Sequence, residues 1–577
     1  MKRLFRLMVF LLPLFMFETC SKDNITYLDA EIYDIEDDIA NTTFDRTVSI
    51  VFSTSGNATV SEATSSGFIV TVNGNDVTIV NNSEEVVMYE LSGTTTDGFF
   101  KLYSSRKQGV TLNDVNITNK SGAAVNIQGT TTLPNKGKRT FVVVNGSNSL
   151  ADGASYNDTP SDEDEKAAFF SEGQLVFSGT GSLSINATGK SGVVSDDYIR
   201  ITSALTLGVV STAGHGMKAN DYVAISDGDI DINVSADMKK GISSDGYVVI
   251  SGGTININVT GGTARNDNNE YVGSAGIKAD GFFKITDGTL TITNTGTGGK
   301  GISCDGTGTF AGGMVSVTTT GSNYGSSGGG GGFPVGRNAN DDSSVSAKAI
   351  KFDGDLTFSG AKVVVKCTAH EGIETKSALT VASGEVYSYS AADDAINSGG
   401  DMTITGGYVC GYATSNDGLD ANGDCYIKGG VVYAIGSNSP EVAVDANTEN
   451  NKQLYVQGGT IVAIGGLEQG SSLTQGCYSA SSWSQNTWYG LTVGSSVYAF
   501  KTPASGGTPL VVSGSSTPTL LSDVTTNGGT SRFEGMLVEN TSLSGGSSVT
   551  LSSYSGGNGG GGGTPPGGGG NHPGGPF

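Results

Sequence analysis

The sequence predicts an all-β fold: a parallel, right-handed β-helix solenoid with three short strands per coil, an N-terminal β cap and a C-terminal β segment. The first observation behind this prediction is a repeat between Phe169 and Val444. In each repeat an apolar residue, a small residue and Asp or Asn precede alternating apolar positions around a Gly. Most repeats are 23 to 25 residues long, a period typical of solenoids. The apolar residues that set the frame are Val193, Met217, Ile242, Ile277, Ile302, Ile350, Ile373, Ile396, Leu419 and Val444.

The composition is the second observation. The chain has 89 Gly and only 12 Pro among 577 residues, and 15% of its residues are charged. Such a composition suits short strands joined by tight turns. Because a repeat array grows by adding repeats, the length of the chain favours one long domain over several globular ones.

The positions after each frame residue predict the strands of a coil in order. The first strand holds the frame residue, and the second has apolar residues six and eight positions later, as in Val223 and Ile225. The third strand begins two positions after a conspicuous Gly. If such coils stack about 4.8 Å apart, their strands form three parallel sheets. The Gly suits a corner with positive φ. It recurs eleven positions after the frame residue as Gly228, Gly253, Gly288, Gly313, Gly384, Gly407 and Gly430.

Changes in composition and period predict five segments. The repeat region is flanked by β-rich stretches without the period and by a terminal stretch rich in Gly and Pro. The predicted segments are a lipoprotein signal peptide (1–19), an N-terminal linker and β cap (20–95), the parallel β-helix (96–466), a C-terminal β segment (467–555) and a disordered tail (556–577).

The N-terminus predicts export. Lys2, Arg3 and Arg6 precede an apolar run over 7–17, which is too short to span a bilayer as a stable helix. Cys20 then follows in a context that resembles a bacterial lipoprotein signal, although Glu18 and Thr19 depart from the usual small residues. An acyl group on Cys20 would anchor the protein to an outer membrane or cell surface. A plain secreted protein is the alternative.

The formal charge of −24 argues against a nucleic-acid partner, because no basic stripe is present to neutralise phosphates. An anionic surface suits bound cations instead. The positions flanking the frame residues indicate where a cation would bind, because they are basic in the early repeats and acidic from Ile373 onward. The basic residues are His215, Lys218, Lys240, Lys278, Lys300, Lys348 and Lys351.

Acidic side chains on consecutive repeats predict a Ca²⁺ site, because clustered carboxylates repel one another unless a cation compensates them. The predicted ligands are Glu371, Glu374, Asp393, Asp394, Asn397, Asp417, Asp420 and Asp445. The alternative is that these are solvated turn residues. For the early lysines we favour a structural role, in which Lys218, Lys278 and Lys351 pair with Asn220, Asp280 and Asp353.

A row of tyrosines lies on the outward positions of the third strand in the late repeats. Exposed aromatic rings can stack on the C–H faces of sugars, so these residues are candidate carbohydrate-binding residues. Cross-strand aromatic packing under a loop is an equal alternative. The row comprises Tyr387, Tyr389, Tyr408, Tyr412 and Tyr433.

The repeats Gly-Ile-Ser-Ser-Asp-Gly (241–246), Gly-Ile-Lys-Ala-Asp-Gly (276–281) and Gly-Leu-Asp-Ala-Asn-Gly (418–423) resemble a family of bacterial carbohydrate-binding β-helix proteins. That family is similar in fold to calcium-dependent pectate lyases and is associated with binding cellulose and polygalacturonate. The resemblance covers roughly residues 85–550. Within it, Asp393-Asp394-x-x-Asn397 looks like the acidic calcium motif of a pectate-lyase family, whose last position is usually Asp; the amide oxygen of Asn397 can still ligate.

The expected function is therefore that of an exported, surface-anchored, monomeric protein that binds cell-wall polysaccharide, either pectin-like or a β-glucan, with Ca²⁺ on the solenoid. No catalytic residue is assigned. A calcium-dependent polysaccharide lyase is an alternative, for which Lys376 and Lys428 are the nearby candidate bases. A structural adhesin or spacer is a third possibility that needs no ligand.

Overall fold

The chain is built almost entirely from β-strands in the part that the structure describes. The computed structural model describes residues 35–129, 139–157, 159–160, 163–325 and 344–556; the predicted export signal, Cys20 and the tail beyond Gly556 lie outside these residues. The chain divides into two units, 1–42 and 43–577. The described part of the first unit contains two short 3-10 helices, Ile35–Asp37 and Ile39–Asn41.

The second unit contains fifty strands in its described residues. The strands before the repeats are β1 (Arg46–Phe52), β2 (Thr59–Val60), β3 (Phe68–Asn73), β4 (Asp76–Asn81), β5 (Val87–Thr95), β6 (Phe99–Ser104), β7 (Gln108–Thr118), β8 (Val125–Gln128), β9 (Thr140–Asn145) and β10 (Ser147–Ala151).

The repeat region contributes thirty strands and one 3-10 helix, Thr448–Asn450. The strands are β11 (Ala167–Ser171), β12 (Leu175–Gly179), β13 (Ser182–Ala187), β14 (Ser191–Ser195), β15 (Ile199–Ile201), β16 (Thr206–Ser211), β17 (Met217–Ala219), β18 (Tyr222–Ile225), β19 (Asp229–Val234), β20 (Lys240–Ser244), β21 (Tyr247–Val259), β22 (Ala264–Arg265), β23 (Tyr271–Val272), β24 (Ala275–Ala279), β25 (Phe282–Asn294), β26 (Lys300–Cys304), β27 (Thr307–Phe310), β28 (Met314–Thr319), β29 (Ile350–Phe352), β30 (Leu356–Cys367), β31 (Ile373–Thr375), β32 (Leu379–Ser390), β33 (Ile396–Ser398), β34 (Met402–Ile404), β35 (Tyr408–Ala413), β36 (Leu419–Ala421), β37 (Cys425–Ile427), β38 (Val431–Ile435), β39 (Leu454–Val456) and β40 (Thr460–Ile464).

The C-terminal part contributes ten strands and one 3-10 helix, Phe533–Gly535. The strands are β41 (Ser472–Leu473), β42 (Cys477–Ala480), β43 (Trp488–Val493), β44 (Ser496–Lys501), β45 (Leu510–Ser513), β46 (Thr519–Asn527), β47 (Thr530–Arg532), β48 (Leu537–Glu539), β49 (Ser542–Ser548) and β50 (Ser552–Tyr554). The all-β class is thus confirmed for the described residues.

The frame residues of the repeats lie in a 14-stranded sheet, whose order is β3-β4-β6-β8-β11-β14-β17-β20-β24-β26-β29-β31-β33-β36. All neighbours from β4 onward are parallel, and each frame residue pairs with the next, as Met217 does with Ile242. The frame residues are buried, whereas the next residue of each strand is at least partly exposed in most repeats. One face of this sheet, called the outer face below, therefore presents the residues that follow the frame residues.

The remaining repeat strands contradict the predicted solenoid of three-strand coils with three parallel sheets. The predicted second and third strands belong to a single 28-stranded sheet. In the middle repeats they are not even separate strands, because β21 and β25 each run through the predicted corner as 13 residues. A six-stranded antiparallel sheet (β43, β44 and β46–β49) and a two-stranded hairpin (β22–β23) complete the described sheets.

The corner keeps its glycines in the repeats where the strand is continuous and in those where it is interrupted. The seven glycines predicted at the corner all have positive φ, between 73° for Gly407 and 107° for Gly228, which confirms that part of the prediction. At this corner the pairing of β21 with β25 shifts register on either side of Ser251. Such a bulge bends a strand while the ladder of hydrogen bonds resumes beyond it. The chain therefore turns within one sheet where the sequence suggested two.

The apolar columns of both large sheets form one continuous core, which runs from Val48 to Val511. A second core lies between late repeats and the C-terminal six-stranded sheet, and includes Tyr433, Ile435 and Phe500. All five cysteines in the described residues are buried and unbridged. Among the described helices, none combines the length and apolar character needed to cross a bilayer.

Candidate functional site

The outer face of the 14-stranded sheet carries the predicted change of charge. Parallel pairing in register places one residue from each strand in a single column: Lys101, Asn126, Phe170, Val194, Lys218, Ser243, Lys278, Ser303, Lys351, Glu374, Asn397 and Asp420. Neighbouring strands lie about 4.8 Å apart. The repeat thus converts a sequence pattern into a row of close side chains.

The lysines of this column are paired with acids, as we favoured from the sequence. Lys278 Nζ lies 2.8 Å from Asp280 and 2.6 Å from Asp305, and Lys351 Nζ lies 2.6 Å from Asp353. Lys218 differs, because its partner is not Asn220 but Asp245, at 3.2 Å. These exposed and half-exposed pairs indicate a structural role.

The second basic column, two positions before the frame residues, is more buried. Burial, reinforced by nearby lysines, lowers the pKa of both Lys240 and Lys300 to about 8. For His215, burial and the charge of Lys240 lower the pKa to about 3. Its Nδ1 accepts a hydrogen bond from the backbone N–H of Lys240 at 3.1 Å. His215 is therefore a neutral structural histidine.

Basic and acidic regions meet at Lys348, which lies 3.1 Å from Glu371 and 2.7 Å from Glu374. His370, which the sequence did not single out, contacts Glu371 and lies 2.9 Å from Asp393. Burial opposes its protonation, but hydrogen bonds with Asp393 and Glu371 outweigh burial and raise the pKa of His370 to about 9. At neutral pH two cations thus compensate three of the eight predicted Ca²⁺ ligands.

One nitrogen and two oxygen ligands converge at this junction. Ligand atoms of His370, Glu371 and Asp393 all lie within 4.8 Å of one another. A metal bound there would have to displace the proton of His370, because only the neutral imidazole ligates. The protonated histidine favours an ion-pair network at this point.

The remaining predicted ligands form a compact carboxylate cluster. Asn397 Nδ2 donates to Asp394 Oδ2 at 3.0 Å and to Asp420 Oδ2 at 2.8 Å. Asp394 Oδ1 accepts from the backbone N–H of Asp417 at 3.1 Å, and Asp417 Oδ1 accepts from that of Val442 at 2.5 Å. These bonds hold the carboxylates in place across three consecutive repeats.

Charge in this cluster is poorly compensated. None of Asp394, Asp417, Asp420 and Asp445 has an ion pair within the part of the chain that the structure describes. Burial is the main cause that raises the pKa of Asp394 to about 7, of Asp417 to about 8 and of Asp420 to about 6, and neighbouring carboxylates add to it. Burial also raises the pKa of Asp445, which shares a hydrogen bond with Glu468. A divalent cation would relieve this repulsion.

These residues fit a calcium site in ligand type but not fully in orientation. Carboxylate oxygens from Asp394, Asp417, Asp420 and Asp445 are hard ligands of the kind that Ca²⁺ prefers. The amide nitrogen of Asn397 faces the two carboxylates, however, so that Asn397 would ligate only after its amide turned over. Glu468, adjacent to the bridge between Val444 and Leu467, adds a carboxylate that the sequence did not identify.

The tyrosine row is not an exposed platform. Tyr387 is 6% exposed and Tyr433 is fully buried, which contradicts their assignment as sugar-stacking residues. The other three, Tyr389, Tyr408 and Tyr412, are half-buried and pack against the same second core. The alternative was right about aromatic packing, but the cover is a β-sheet and not a loop.

The covering segment is the C-terminal six-stranded sheet. Tyr433 donates its hydroxyl hydrogen bond to the carbonyl of Lys501 at 2.8 Å, and Tyr408 donates to Glu539 at 2.6 Å. The Arg532 guanidinium lies 4.0 Å from the centre of the Tyr408 ring. These partners are about 70 to 130 residues away along the chain, so the sequence pattern of the repeats did not reveal them.

An aromatic ladder that the sequence reading missed lies five positions after the frame residues. Tyr198, Tyr222, Tyr247 and Phe282 stack with ring centres 4.5, 4.8 and 4.6 Å apart. Because the rings cover one another's faces, they present edges and hydroxyls rather than faces to a ligand. The position just before the apolar column six residues after the frame residue would have revealed them.

Comparisons with known proteins complete the description. A family model described as "carbohydrate-binding domain-containing protein" matches residues 73–269 and 230–418, which together span more than half of the chain. The comparison with curated proteins gave no match. A solved structure described as the polysaccharide lyase-like protein from C. thermocellum, gadolinium derivative, is 24% identical and covers 45% of this chain and 94% of its own. Its TM-score of 0.32 does not establish a shared fold.

Proposed function

The chain belongs to the family of carbohydrate-binding domain-containing proteins, and from this premise we propose that it binds cell-wall polysaccharide through Ca²⁺ held at the acidic end of the outer face. The observation that carries the proposal is the carboxylate cluster of Asp394, Asp417, Asp420 and Asp445. Its members lie on three consecutive repeats without a basic partner among the described residues. Residues 73–418, which the family model spans, reach as far as Asp394 and Asp417.

Calcium supports polysaccharide binding by a simple mechanism. A Ca²⁺ ion takes six to eight oxygen ligands, so a cation held by two or three carboxylates keeps positions for ligands from outside. The carboxylate and hydroxyl oxygens of a uronic acid are suitable ligands. An acidic, pectin-like polymer is therefore the preferred partner of this end of the face, since without the cation a negative cluster would repel it.

A binding role needs no catalytic base, and both candidate lysines have other contacts in the structure. Lys376 Nζ is paired with Asp353 at 3.1 Å, and Lys428 Nζ lies 4.6 Å from the centre of the Tyr426 ring. No described contact brings either lysine to the carboxylate cluster. We therefore propose binding without cleavage. A spacer that binds no ligand would leave the uncompensated carboxylates without a role.

Export and anchoring are part of the proposal on sequence grounds alone. The basic N-terminus, the short apolar run and Cys20 support a lipid-anchored protein on an outer membrane or cell surface. Cells fed a labelled fatty acid would incorporate label into the protein, and Cys20→Ala would abolish it. Label retained in that variant would contradict the anchor.

The main test measures binding of polygalacturonate to the full chain with Ca²⁺ or with EDTA, by isothermal titration calorimetry. We expect binding only with Ca²⁺, and at least a tenfold loss of affinity in the double variant Asp394→Asn with Asp417→Asn. The control, Asp229→Asn with Asp267→Asn, removes two exposed carboxylates elsewhere and should bind normally. Equal binding in EDTA would exclude the calcium mechanism.

Two further readouts separate the alternatives. Ca²⁺ should raise the melting temperature of the wild type by mass action but not that of the Asp394/Asp417 variant. Unsaturated sugars, followed by ultraviolet absorbance during the incubation, would show that the protein is a lyase. Failure to retain acidic or neutral polysaccharide under any condition would leave the spacer as the better description.

A further inference from the structure

A polar cleft lies at the opposite end of the outer face, where the predicted β cap (20–95) meets the start of the predicted β-helix (96–466). Its volume is about 570 Å³, within the range of small-molecule sites. The turn between β3 and β4 forms one wall, and the turn between β7 and β8 forms the other. Its lining includes Asp76, Asp97, Phe99, Lys101, Asn126 and Glu165.

Strand pairing places the floor residues side by side. Phe99 and Lys101 point to the same face of β6, two residues apart. Across the neighbouring strands, Asp76 pairs with Phe99 and Asn126 pairs with Lys101. Lys101 and Asn126 belong to the same column of the outer face that ends at Asp420, so the cleft and the carboxylate cluster share one surface.

Hydrogen bonds fix the polar wall before any ligand arrives. Lys101 Nζ lies 2.9 Å from Glu165 and 3.0 Å from Glu163. Asn126 Nδ2 donates to Glu165 at 2.6 Å, and Asn126 Oδ1 accepts from Gln128 at 2.7 Å. Lys101, Asn126 and Glu165 are at most 9% exposed. A wall held this firmly loses little conformational entropy on binding.

The functional groups suit a sugar. Phe99 offers a half-buried aromatic surface on which the C–H face of a pyranose can stack. Carboxylate oxygens have several lone pairs, so Glu165 and Asp97 can each accept further hydrogen bonds from sugar hydroxyls. Asp97 is well placed to do so, because its side chain is 57% exposed, although it also pairs with Lys120 at 3.3 Å.

Charge decides which sugar fits. The cleft is lined by three carboxylates, on Asp76, Asp97 and Glu165, and by one cation, Lys101, which is already shared between Glu163 and Glu165. A second cation, Lys120, lies outside the lining and pairs with Asp97, so acids outnumber bases. A uronic acid would bring a further negative charge into this surface and be repelled. A neutral sugar would instead donate its hydroxyl hydrogens to the carboxylates.

We propose that this cleft binds neutral sugar residues of a polysaccharide by stacking on Phe99 and hydrogen bonding to Asp97 and Glu165. The inference rests on the proposed carbohydrate binding but not on Ca²⁺ or on the carboxylate cluster. The cleft lies within residues 73–269, one of the two regions that the family model matches. The outer face would then bind neutral sugars at one end and acidic sugars at the other.

The test is an isothermal calorimetric titration of the full chain with a neutral β-glucan oligosaccharide in the presence of EDTA. We expect binding in the wild type and about a tenfold loss of affinity in Phe99→Ala, since one aromatic–sugar stack is lost. Asp97→Asn, an exposed and conservative change, should also weaken binding. Tyr271→Ala, in the distant β22–β23 hairpin, is the control and should bind normally.

The outcomes separate this proposal from the previous one. Phe99→Ala should still bind polygalacturonate with Ca²⁺, whereas Asp394→Asn with Asp417→Asn should still bind the neutral oligosaccharide. Neutral binding that is unchanged in both Phe99→Ala and Asp97→Asn would overturn the assignment of the cleft. If the wild type binds polygalacturonate but no neutral oligosaccharide, the cleft proposal fails alone. If the circular dichroism spectrum shows that Phe99→Ala does not fold, the affinity of Asp97→Asn decides the test.

Discussion

Single residues on the outer face show how burial turns one sequence pattern into different chemical roles. Lys278 and Lys351 are paired with aspartates, whereas Lys240, in the adjacent column, lies among other cations and Lys240 Nζ donates to the carbonyl of Met238 at 2.5 Å. His370 gains two acidic partners and holds its proton, while His215 has none and stays neutral. The residue type alone did not distinguish these cases.

Lys240 gives a test of this view at the residue scale. Its pKa is lowered to about 8 by burial and by Lys239, Lys278, Lys300 and Lys218, so its contribution to stability is present above pH 10.5 and lost as the pH falls through 8. Lys240→Met should therefore stabilise the protein by about 2 kcal/mol at pH 7, and by less than half of that at pH 10. Denaturant unfolding at the two pH values measures both effects.

The control for Lys240 is Lys452→Met, which removes a lysine from a connecting segment after the third 3-10 helix. Its effect on the free energy of unfolding should be within about 0.5 kcal/mol at either pH. A loss of stability in Lys240→Met at pH 7 would show that the hydrogen bond to Met238 outweighs the cost of burying the charge.

At the scale of the elements, the corner glycines allow the backbones of neighbouring repeats to approach closely. Gly288 has a φ of 91°, and a Cβ atom placed there would lie 2.8 Å from the carbonyl atoms of Gly252. The close approach between neighbouring repeats therefore depends on the missing side chain. The same glycine column predicted the corner correctly, but it did not show that hydrogen bonding resumes beyond it.

Gly288→Ala tests the corner. The substitution should destabilise the protein by about 2 kcal/mol or more, because alanine is strained at this φ and its Cβ meets backbone. Gly208 is the matched control, since it lies in β16 with nothing within 4 Å of its Cβ position; Gly208→Ala should be neutral or slightly stabilising. Similar unfolding free energies for both variants would refute a special role for the corner.

At the scale of the whole molecule, the C-terminal sheet determines which face of the repeats is available to a ligand. It covers the tyrosine row, and its contact with the repeats includes buried charge. Arg532 lies 2.6 Å from Glu539 and 3.3 Å from Glu385, which is 147 residues away along the chain. Both glutamates are less than 10% exposed, and the backbone N–H of Phe533 also donates to Glu385.

Arg532→Ala should therefore cost about 3 kcal/mol of unfolding free energy, because it leaves two buried carboxylates with less compensation. Arg265→Ala, which removes an exposed arginine from the β22–β23 hairpin, should cost under about 1 kcal/mol. Thermal or denaturant unfolding of both variants makes the comparison. If Arg532→Ala behaves like the control, the contact between the C-terminal sheet and the repeats does not depend on this charge network.

The sequence by itself determined the all-β class, the repeat register and the column of residues that changes from basic to acidic. These features follow from the period, because each residue pairs with its equivalent in the next repeat. The predicted domain boundaries and the lipid anchor stay predictions. Only the tertiary structure decided that second and third strands form one sheet, that the tyrosines are covered, that His370 and Glu468 join the acidic end, and that a cleft exists at the other end. These depend on bulges and on contacts between distant segments, whose free energies are set by packing and burial rather than by any local pattern.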